Sequence, residues 1–213
     1  PMLFVHGFGC DQHMWRFVTP AFEERYRVVL MDYVGSGKSD LSAYSAERYG
    51  SLHGYAEDIL EVAAALDLRD AILVGHSVSG TTAILAALRA PERFAQLVLV
   101  CPSPRYIDDP PAYVGGFSAS DIDGLLDTMD LNYMGWAAGL APAIMGNADR
   151  PELGQELADS FCSTDPSIAR RFAEATFRSD NRADLPHVRV PALILQCRND
   201  IVAPEAVGRY MHA

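Results

Sequence analysis

The sequence predicts an α/β fold in which helices cover both faces of a mostly parallel sheet. Three features support this: short apolar runs rich in β-branched residues, helical patterns between them, and one long interruption of the alternation. The 213 residues suffice for a packed core, since 49% are hydrophobic and 21% are charged. In such sheets ligands bind at the edge formed by the carboxyl ends of the strands.

The alternating elements are five predicted strands and three predicted helices. The strand runs are 2–5, 27–31, 71–75, 96–101 and 192–197. The helical patterns are 13–24, 55–66 and 79–89. Right-handed crossovers between parallel strands place all the carboxyl ends at one edge.

The alternation stops between residues 103 and 187. A turn-rich segment is followed by four helical patterns, at 119–129, 132–145, 151–160 and 166–179. Because this insertion leaves one strand and returns to the next, we expect a helical lid (103–187) over a core formed by 1–102 and 188–213. Many lid side chains will pack only against other lid helices. Those expected to line a pocket are Tyr106, Leu125, Tyr133, Trp136 and Phe177.

The sharpest motif is Gly75-His76-Ser77-Val78-Ser79, between a predicted strand and a predicted helix. This is the context of a nucleophile elbow, a tight turn that holds a serine hydroxyl at the sheet edge. The usual pattern is G-x-S-x-G; here Ser79 takes the last position and Gly80 follows it. The alternative is a serine that only caps a helix. The motif predicts an α/β-hydrolase fold with Ser77 as nucleophile, and argues against dehalogenases and epoxide hydrolases, which carry Asp there.

The oxyanion hole of this fold uses two backbone N–H groups. One follows the nucleophile, which gives Val78, and the other lies in the loop after the first strand. That loop is His6-Gly7-Phe8-Gly9, which gives Phe8. We expect a structural role for His6.

Asp200 follows the last predicted strand and is the expected triad acid, because this fold orders its triad as Ser, acid, His. The histidine is expected after another helix and strand, and none of the thirteen residues after Asp200 fits; His212 lies in a helix predicted to begin near residue 204. Without a base, Ser77 is hardly activated. Both ends also have the pattern of element interiors, so we expect a piece of a longer protein.

Other classes of function are disfavoured. Gly37-Lys38-Ser39 ends like a phosphate-binding loop, but Asp32 stands where the first glycine belongs, so a turn is predicted. A net charge of −11 argues against nucleic acid, and no apolar run is long enough for a membrane helix. Four cysteines without metal or C-x-x-C spacing predict a reduced, cytoplasmic protein. We expect no metal and no cofactor.

The chain resembles the bacterial stress-signalling hydrolases of the RsbQ type, whose subfamily includes plant strigolactone and karrikin receptors. The resemblance is carried by His-Gly-Phe-Gly-Cys-Asp-Gln (6–12), Asp-Tyr-Val-Gly-Ser-Gly-Lys-Ser-Asp (32–40), Gly-His-Ser-Val-Ser (75–79), Phe-Cys-Ser-Thr-Asp-Pro (161–166) and Leu-Ile-Leu-Gln-Cys (193–197). It implies the same roles for Ser77, Asp200, Phe8 and Val78. It further implies strands before Pro1, and a strand with Gly-His after Ala213.

Three functions are open at this point. The first is an esterase-like hydrolase for a small apolar substrate. The second, implied by the resemblance, is a signalling module that binds a small hydrophobic ligand under its lid and activates a PAS-domain phosphatase in a stress response. The third is a non-catalytic remnant of the fold.

Overall fold

The computed structural model describes residues 1–213 and contains one parallel five-stranded sheet, ordered β2-β1-β3-β4-β5. The strands are β1 (Met2–Val5), β2 (Val28–Met31), β3 (Ala71–His76), β4 (Phe94–Val100) and β5 (Ala192–Leu195). The predicted α/β-hydrolase fold class is confirmed. All five strands run in one direction, so the segments that follow them meet at a single edge.

Seven α-helices accompany the sheet. They are α1 (Leu52–Ala65), α2 (Val78–Arg89), α3 (Ala119–Leu131), α4 (Tyr133–Met145), α5 (Pro151–Cys162), α6 (Pro166–Phe177) and α7 (Glu205–His212). Helices α3 to α6 lie between β4 and β5, and we call them the insertion helices. No helix combines the length and the apolar character needed to cross a membrane.

The predicted helix at residues 13–24 is wrong. The chain forms two short 3₁₀ turns there, Gln12–Trp15 and Thr19–Ala21. Pro20 lacks an N–H group and disfavours the α conformation of the residue before it, so it weakens a continuous helix through this point. Trp15 is buried in the first turn, whereas Phe17 between the turns is 82% exposed.

Both faces of the sheet are buried, which explains why its strands are uniformly apolar. In β1, Leu3 and Val5 belong to the core that α1 and α2 cover, while Met2 and Phe4 pack with Trp15 on the opposite face. Alternate strand residues point to opposite faces. A strand covered on both faces therefore shows no polar alternation.

The insertion helices have an apolar core of their own, and they dock on the sheet domain through α6. Phe172 of α6 stacks on Tyr55 of α1, with ring centroids 4.1 Å apart. The two chain segments that connect the insertion to the sheet pair with each other: Arg105 and Asp180 form an antiparallel bridge, and Asn181 N–H donates to Pro104 O at 2.8 Å. The insertion is thereby closed at its base.

Ion pairs reinforce this base. Asp180 accepts hydrogen bonds from Arg182 Nε at 2.9 Å and from Arg105, and Arg182 also pairs with Asp109 at 2.9 Å. The Arg182 hydrogen bonds, with a smaller contribution from Arg105, outweigh partial burial and lower the pKa of Asp180 to about 2.

We expect Asp180→Asn to lower the free energy of unfolding by about 1 kcal/mol at pH 7. The effect is kept this small because about a third of the Asp180 side chain is exposed, so solvent screens its ion pairs. A carboxyl with a lowered native pKa stabilises the fold above its ordinary pKa, and this contribution is lost as the pH falls towards 2. The difference from wild type should therefore shrink below pH 4. Urea unfolding at pH 7, 4 and 3 measures it, with Asp149→Asn, in the exposed turn after α4, as control. A difference independent of pH would contradict the assignment.

Candidate active site

Ser77 occupies a strained turn at the carboxyl edge of the sheet. Its backbone has φ 55° and ψ −123°, and its N–H donates to Val100 O of the neighbouring strand at 2.8 Å. The turn is very tight, because a Cβ on Gly75 would lie 2.1 Å from Ser79 O and one on Gly80 would lie 2.6 Å from Pro102 Cβ. Only glycine fits at these two positions, so they hold Ser77 in a conformation that costs about 1–3 kcal/mol.

Ser79, the departure from the usual elbow pattern, is fully buried and hydrogen-bonded. Its hydroxyl donates to His6 O and hydrogen-bonds to Tyr33 Oη at 2.9 Å, and Tyr33 Oη in turn contacts Thr82 Oγ1 at 2.6 Å. A buried hydroxyl needs such partners to be tolerated. Ser79 thus joins α2 to His6, the first residue of the predicted oxyanion loop.

His6 links the ends of two strands rather than facing the nucleophile. Its Nδ1 hydrogen-bonds to Gly7 O at 2.8 Å, and its Nε2 accepts from Tyr33 N–H at 3.2 Å. These partners assign the proton to Nδ1. Burial lowers the pKa of His6, so the ring is neutral and serves the framework, as predicted.

The two predicted oxyanion donors have free N–H groups. Phe8 N–H and Val78 N–H donate to no acceptor in the protein. Val78 is the first residue of α2, where the helix N-terminus adds partial positive charge. Both groups are therefore available to an anionic oxygen near Ser77.

The insertion helices hold the loop that carries Phe8. Gly9 has φ +68°, a Cβ there would lie 2.1 Å from the Phe161 ring, and Ser160 Oγ donates to Gly9 O at 2.7 Å. The Phe8 ring itself packs against aromatic residues of α4, α5 and α6. The centroid distances are 6.2 Å to Trp136, 5.9 Å to Phe161, 5.4 Å to Phe172 and 6.0 Å to Phe177.

Asp200 lies in the turn after β5 and lines the same cavity as Ser77. Its Oδ1 accepts from Val202 N–H at 2.8 Å and from Ala203 N–H at 2.9 Å. Its Oδ2 makes no hydrogen bond to the protein. One oxygen thus orients the carboxylate, and the other is free to accept from a further group.

No histidine of residues 1–213 hydrogen-bonds to Ser77 or Asp200. His76, the nearest in sequence to Ser77, packs edge-on against Trp15 at 6.4 Å. Burial lowers the pKa of His76 to about 4, although the Asp200 charge opposes this shift. His76 is therefore neutral at pH 7 and a weak base.

A cavity of about 830 Å³ lies between the sheet edge and the insertion helices. Ser77, Phe8 and Asp200 all line it, and 20 of its 31 lining residues are hydrophobic, which favours a ligand with an apolar body. Four of the predicted pocket residues also line it: Tyr106, Leu125, Trp136 and Phe177.

Tyr133, the fifth predicted pocket residue, does not line the cavity, so that prediction is wrong. Its ring stacks behind Trp136 at 5.5 Å, and its hydroxyl donates to Phe161 O at 2.8 Å. Leu140 and Ile144 also line the cavity, although the sequence did not predict them as pocket residues. Their four-residue spacing from Trp136 along α4 is the signal that would have identified them.

The segment that resembles a phosphate-binding loop is a turn, as predicted. Gly37 has φ +56°, and a Cβ there would clash with the Asp32 carboxylate. Asp32 accepts from Gln12 N–H at 2.8 Å and from Lys38 N–H at 3.1 Å. Burial opposes ionisation, but these hydrogen bonds outweigh it and lower the pKa of Asp32. The carboxylate occupies the centre of the turn.

Comparison with known proteins agrees with this geometry. The sequence profile of the alpha/beta hydrolase family matches residues 2–213. A karrikin insensitive 2 receptor of Petunia hybrida is 36% identical over 211 residues, which is 99% of this chain and 78% of the receptor. A strigolactone esterase of Arabidopsis thaliana is 35% identical over 212 residues, which is 100% of this chain and 79% of the esterase.

Solved structures agree as well. A hydrolase from Oleispira antarctica superposes with a TM-score of 0.96 at 48% identity, over 99% of this chain and 77% of that protein. The family match covers nearly the whole sequence, and the elbow, the loop after β1 and the acid after β5 lie at one sheet edge. The chain belongs to the α/β-hydrolase family.

Proposed function

We propose that this protein is a serine hydrolase for a small, largely apolar ester or lactone, with Ser77 as nucleophile and Asp200 as triad acid. The observation that carries the proposal is the position of Ser77, in a strained turn beside two free backbone N–H groups at the wall of an apolar cavity. A structural serine needs neither the strain nor the unpaired donors. Strain of this kind clusters at functional sites.

In the proposed reaction, Ser77 Oγ attacks the substrate carbonyl and its proton passes to a base. The carbonyl oxygen becomes negatively charged and accepts hydrogen bonds from Phe8 N–H and Val78 N–H, which stabilise it more than the neutral carbonyl. Collapse of this intermediate expels the alcohol and leaves an acyl-enzyme. Water then attacks the acyl group and restores Ser77.

The base of a Ser-His-Asp mechanism is a histidine that bridges the free Asp200 Oδ2 and Ser77 Oγ. The resemblance in sequence implies that this histidine follows Ala213, and it stays a prediction. The free Oδ2 supports the proposal, because a carboxylate held only through Oδ1 retains an acceptor for an imidazole N–H.

A ligand-binding signalling role is the second candidate. It is favoured by the 35–36% identity to relatives named as a karrikin insensitive receptor and a strigolactone esterase, and by a cavity large enough for a whole small ligand. The cavity and nucleophile would be the same, but release of products would be slow. The PAS-domain phosphatase partner and the stress response belong to this candidate and stay predictions.

We expect the full-length protein to be labelled by a fluorophosphonate probe and Ser77→Ala to lose all labelling. Its free energy of unfolding should stay within about 1 kcal/mol of wild type, because only a hydroxyl is removed. Gel fluorescence and urea unfolding measure the two effects. Ser163→Ala, which removes an exposed hydroxyl at the same cavity, is the control. Labelling that persists in Ser77→Ala would refute the nucleophile, and unlabelled wild type would favour the non-catalytic remnant.

We expect Asp200→Asn to lower kcat for a short-chain ester by a factor on the order of 10⁴, with little change in KM, because an amide cannot stabilise the imidazolium. Its amide oxygen can still accept from Val202 and Ala203, so the turn should persist. Asp165→Asn is the matched control, since Asp165 accepts from Ser167 N–H at 2.8 Å in a similar turn outside the cavity. Equal losses of kcat in Asp200→Asn and Asp165→Asn would attribute the loss to changed turn geometry and not to the charge of Asp200.

Rapid-mixing kinetics separate the two candidates. An enzyme should show continued turnover at about 1 s⁻¹ or faster on its substrate class. A receptor should show one product burst equal to the protein concentration, followed by much slower turnover, because the acyl or product species persists. Steady turnover without a burst would argue against the receptor role.

A further inference from the structure

One hydrogen bond joins the insertion helices to the loop 6–9, which carries the proposed oxyanion donor Phe8 N–H. Ser160 Oγ of α5 donates to Gly9 O at 2.7 Å. No other hydrogen bond links residues 6–9 to α3, α4, α5 or α6. Ser160 and Gly9 are 151 positions apart in the sequence, so this bond depends on how the insertion helices dock on the sheet domain.

The start of this loop is held by the sheet domain. Cys10 N–H donates to Gly7 O at 3.3 Å and closes a turn, in which Gly9 has φ +68°. Gly7 O also accepts from His6 Nδ1 at 2.8 Å. Gly7 O and Phe8 N–H belong to the same peptide unit, which is planar, so both bonds restrain the direction of the Phe8 N–H.

The end of the turn depends on α5. Gly9 carries no side chain, so its backbone is permissive, and the bond from Ser160 Oγ restrains Gly9 O. The Cys10 thiol lies beside the same hydroxyl, and burial raises the pKa of Cys10 to about 12. Cys10 is therefore a neutral thiol at pH 7 and does not take the Ser160 proton as a thiolate acceptor would. The hydroxyl stays directed at Gly9 O.

We infer that Ser160 is a positioning residue for the proposed reaction: through Gly9 O it aligns Phe8 N–H with the oxyanion, and it makes this donor depend on the position of α5. The oxygen becomes charged only as the reaction proceeds, so misalignment of the donor affects catalysis more than substrate binding. The inference rests on the proposed function for its kinetic part, but the mobility of Phe8 tests it without any reaction.

The first test is Ser160→Ala in the full-length protein, assayed with para-nitrophenyl hexanoate. Alanine favours a helix, so the variant should fold. Loss of a whole oxyanion donor lowers kcat by about 10²–10³. Because the bonds to Gly7 O and the Phe161 ring against Gly9 remain, we expect kcat to fall only about tenfold, with KM changed less than about twofold. A raised KM at unchanged kcat would assign Ser160 to direct substrate contact and overturn the inference.

Ser179→Ala is the matched control. Ser179 is also a half-buried serine of the insertion, but its hydroxyl donates to Thr176 O at 2.8 Å, and it does not line the cavity. This variant should keep the wild-type kcat.

Inhibitors separate donor alignment from ligand contact. Pentylboronic acid bonded to Ser77 carries a negatively charged oxygen that needs the same donor, so its inhibition constant should rise about tenfold in Ser160→Ala. The dissociation constant of N-butylhexanamide, which stays uncharged, should not change. Equal weakening of both compounds would overturn the inference.

Backbone ¹⁵N relaxation distinguishes failure of the inference from failure of the hydrolase proposal. We expect the Phe8 N–H order parameter to be about 0.85 in wild type and to fall towards about 0.6 in Ser160→Ala. If no ester is hydrolysed but Ser160→Ala alone shows this fall, the positioning role stands and the hydrolase proposal fails. If the ester is hydrolysed and Ser160→Ala changes neither kcat nor the order parameter, the inference fails and the hydrolase proposal stands.

Discussion

The site depends on one backbone constraint, the positive φ of Ser77 between β3 and α2. A β-strand that runs directly into a helix has no room for a relaxed turn, so the strand end and the first helical turn must nearly touch. Gly75 against Ser79 O, and Gly80 against Pro102, are the two contacts that allow it. Because the sheet and α2 are buried and stable, they sustain a strain of about 1–3 kcal/mol that an isolated turn would release. The same geometry leaves Val78 N–H free and directs the serine to the sheet edge.

The second proposed oxyanion donor, Phe8 N–H, depends on the insertion helices. The loop after β1 contains Gly7 and Gly9, so its backbone is intrinsically permissive. In α5, Ser160 Oγ donates a hydrogen bond to Gly9 O, and the Phe161 ring lies against Gly9. The Phe8 ring packs against aromatic side chains of the insertion helices. On the other side of the loop, the Ser79 hydroxyl donates a hydrogen bond to His6 O. The position of Phe8 N–H relative to Ser77 thus follows from packing across the whole cavity, and a ligand that displaces these rings would also move the donor.

Local patterns determine which parts of this were predictable from the sequence. The strands, the elbow and the insertion helices follow from apolar runs, glycine spacing and helical periodicity, all of which act over short distances. The failure at residues 13–24 came from an apolar pattern that ignored the effect of Pro20. Tyr133 was misplaced because the side of α4 that faces the cavity depends on how α4 packs against α5, which the sequence does not encode locally. Ser79 could be recognised as a small residue in the elbow pattern, but its hydrogen bonds to His6 O and Tyr33 Oη could not be predicted, since these partners meet only in the folded chain.

The hydroxyl groups beneath the elbow connect the two parts of the site. Ser79 donates to His6 O and hydrogen-bonds to Tyr33 Oη, which contacts Thr82 Oγ1, and His6 Nε2 accepts from Tyr33 N–H. Such buried networks stabilise a unique arrangement. Because this network joins the end of β1, the segment after β2 and the first turns of α2, it fixes the loop that carries Phe8 relative to the turn that carries Ser77. The insertion helices then hold the same loop from its other side through Ser160 and Phe161.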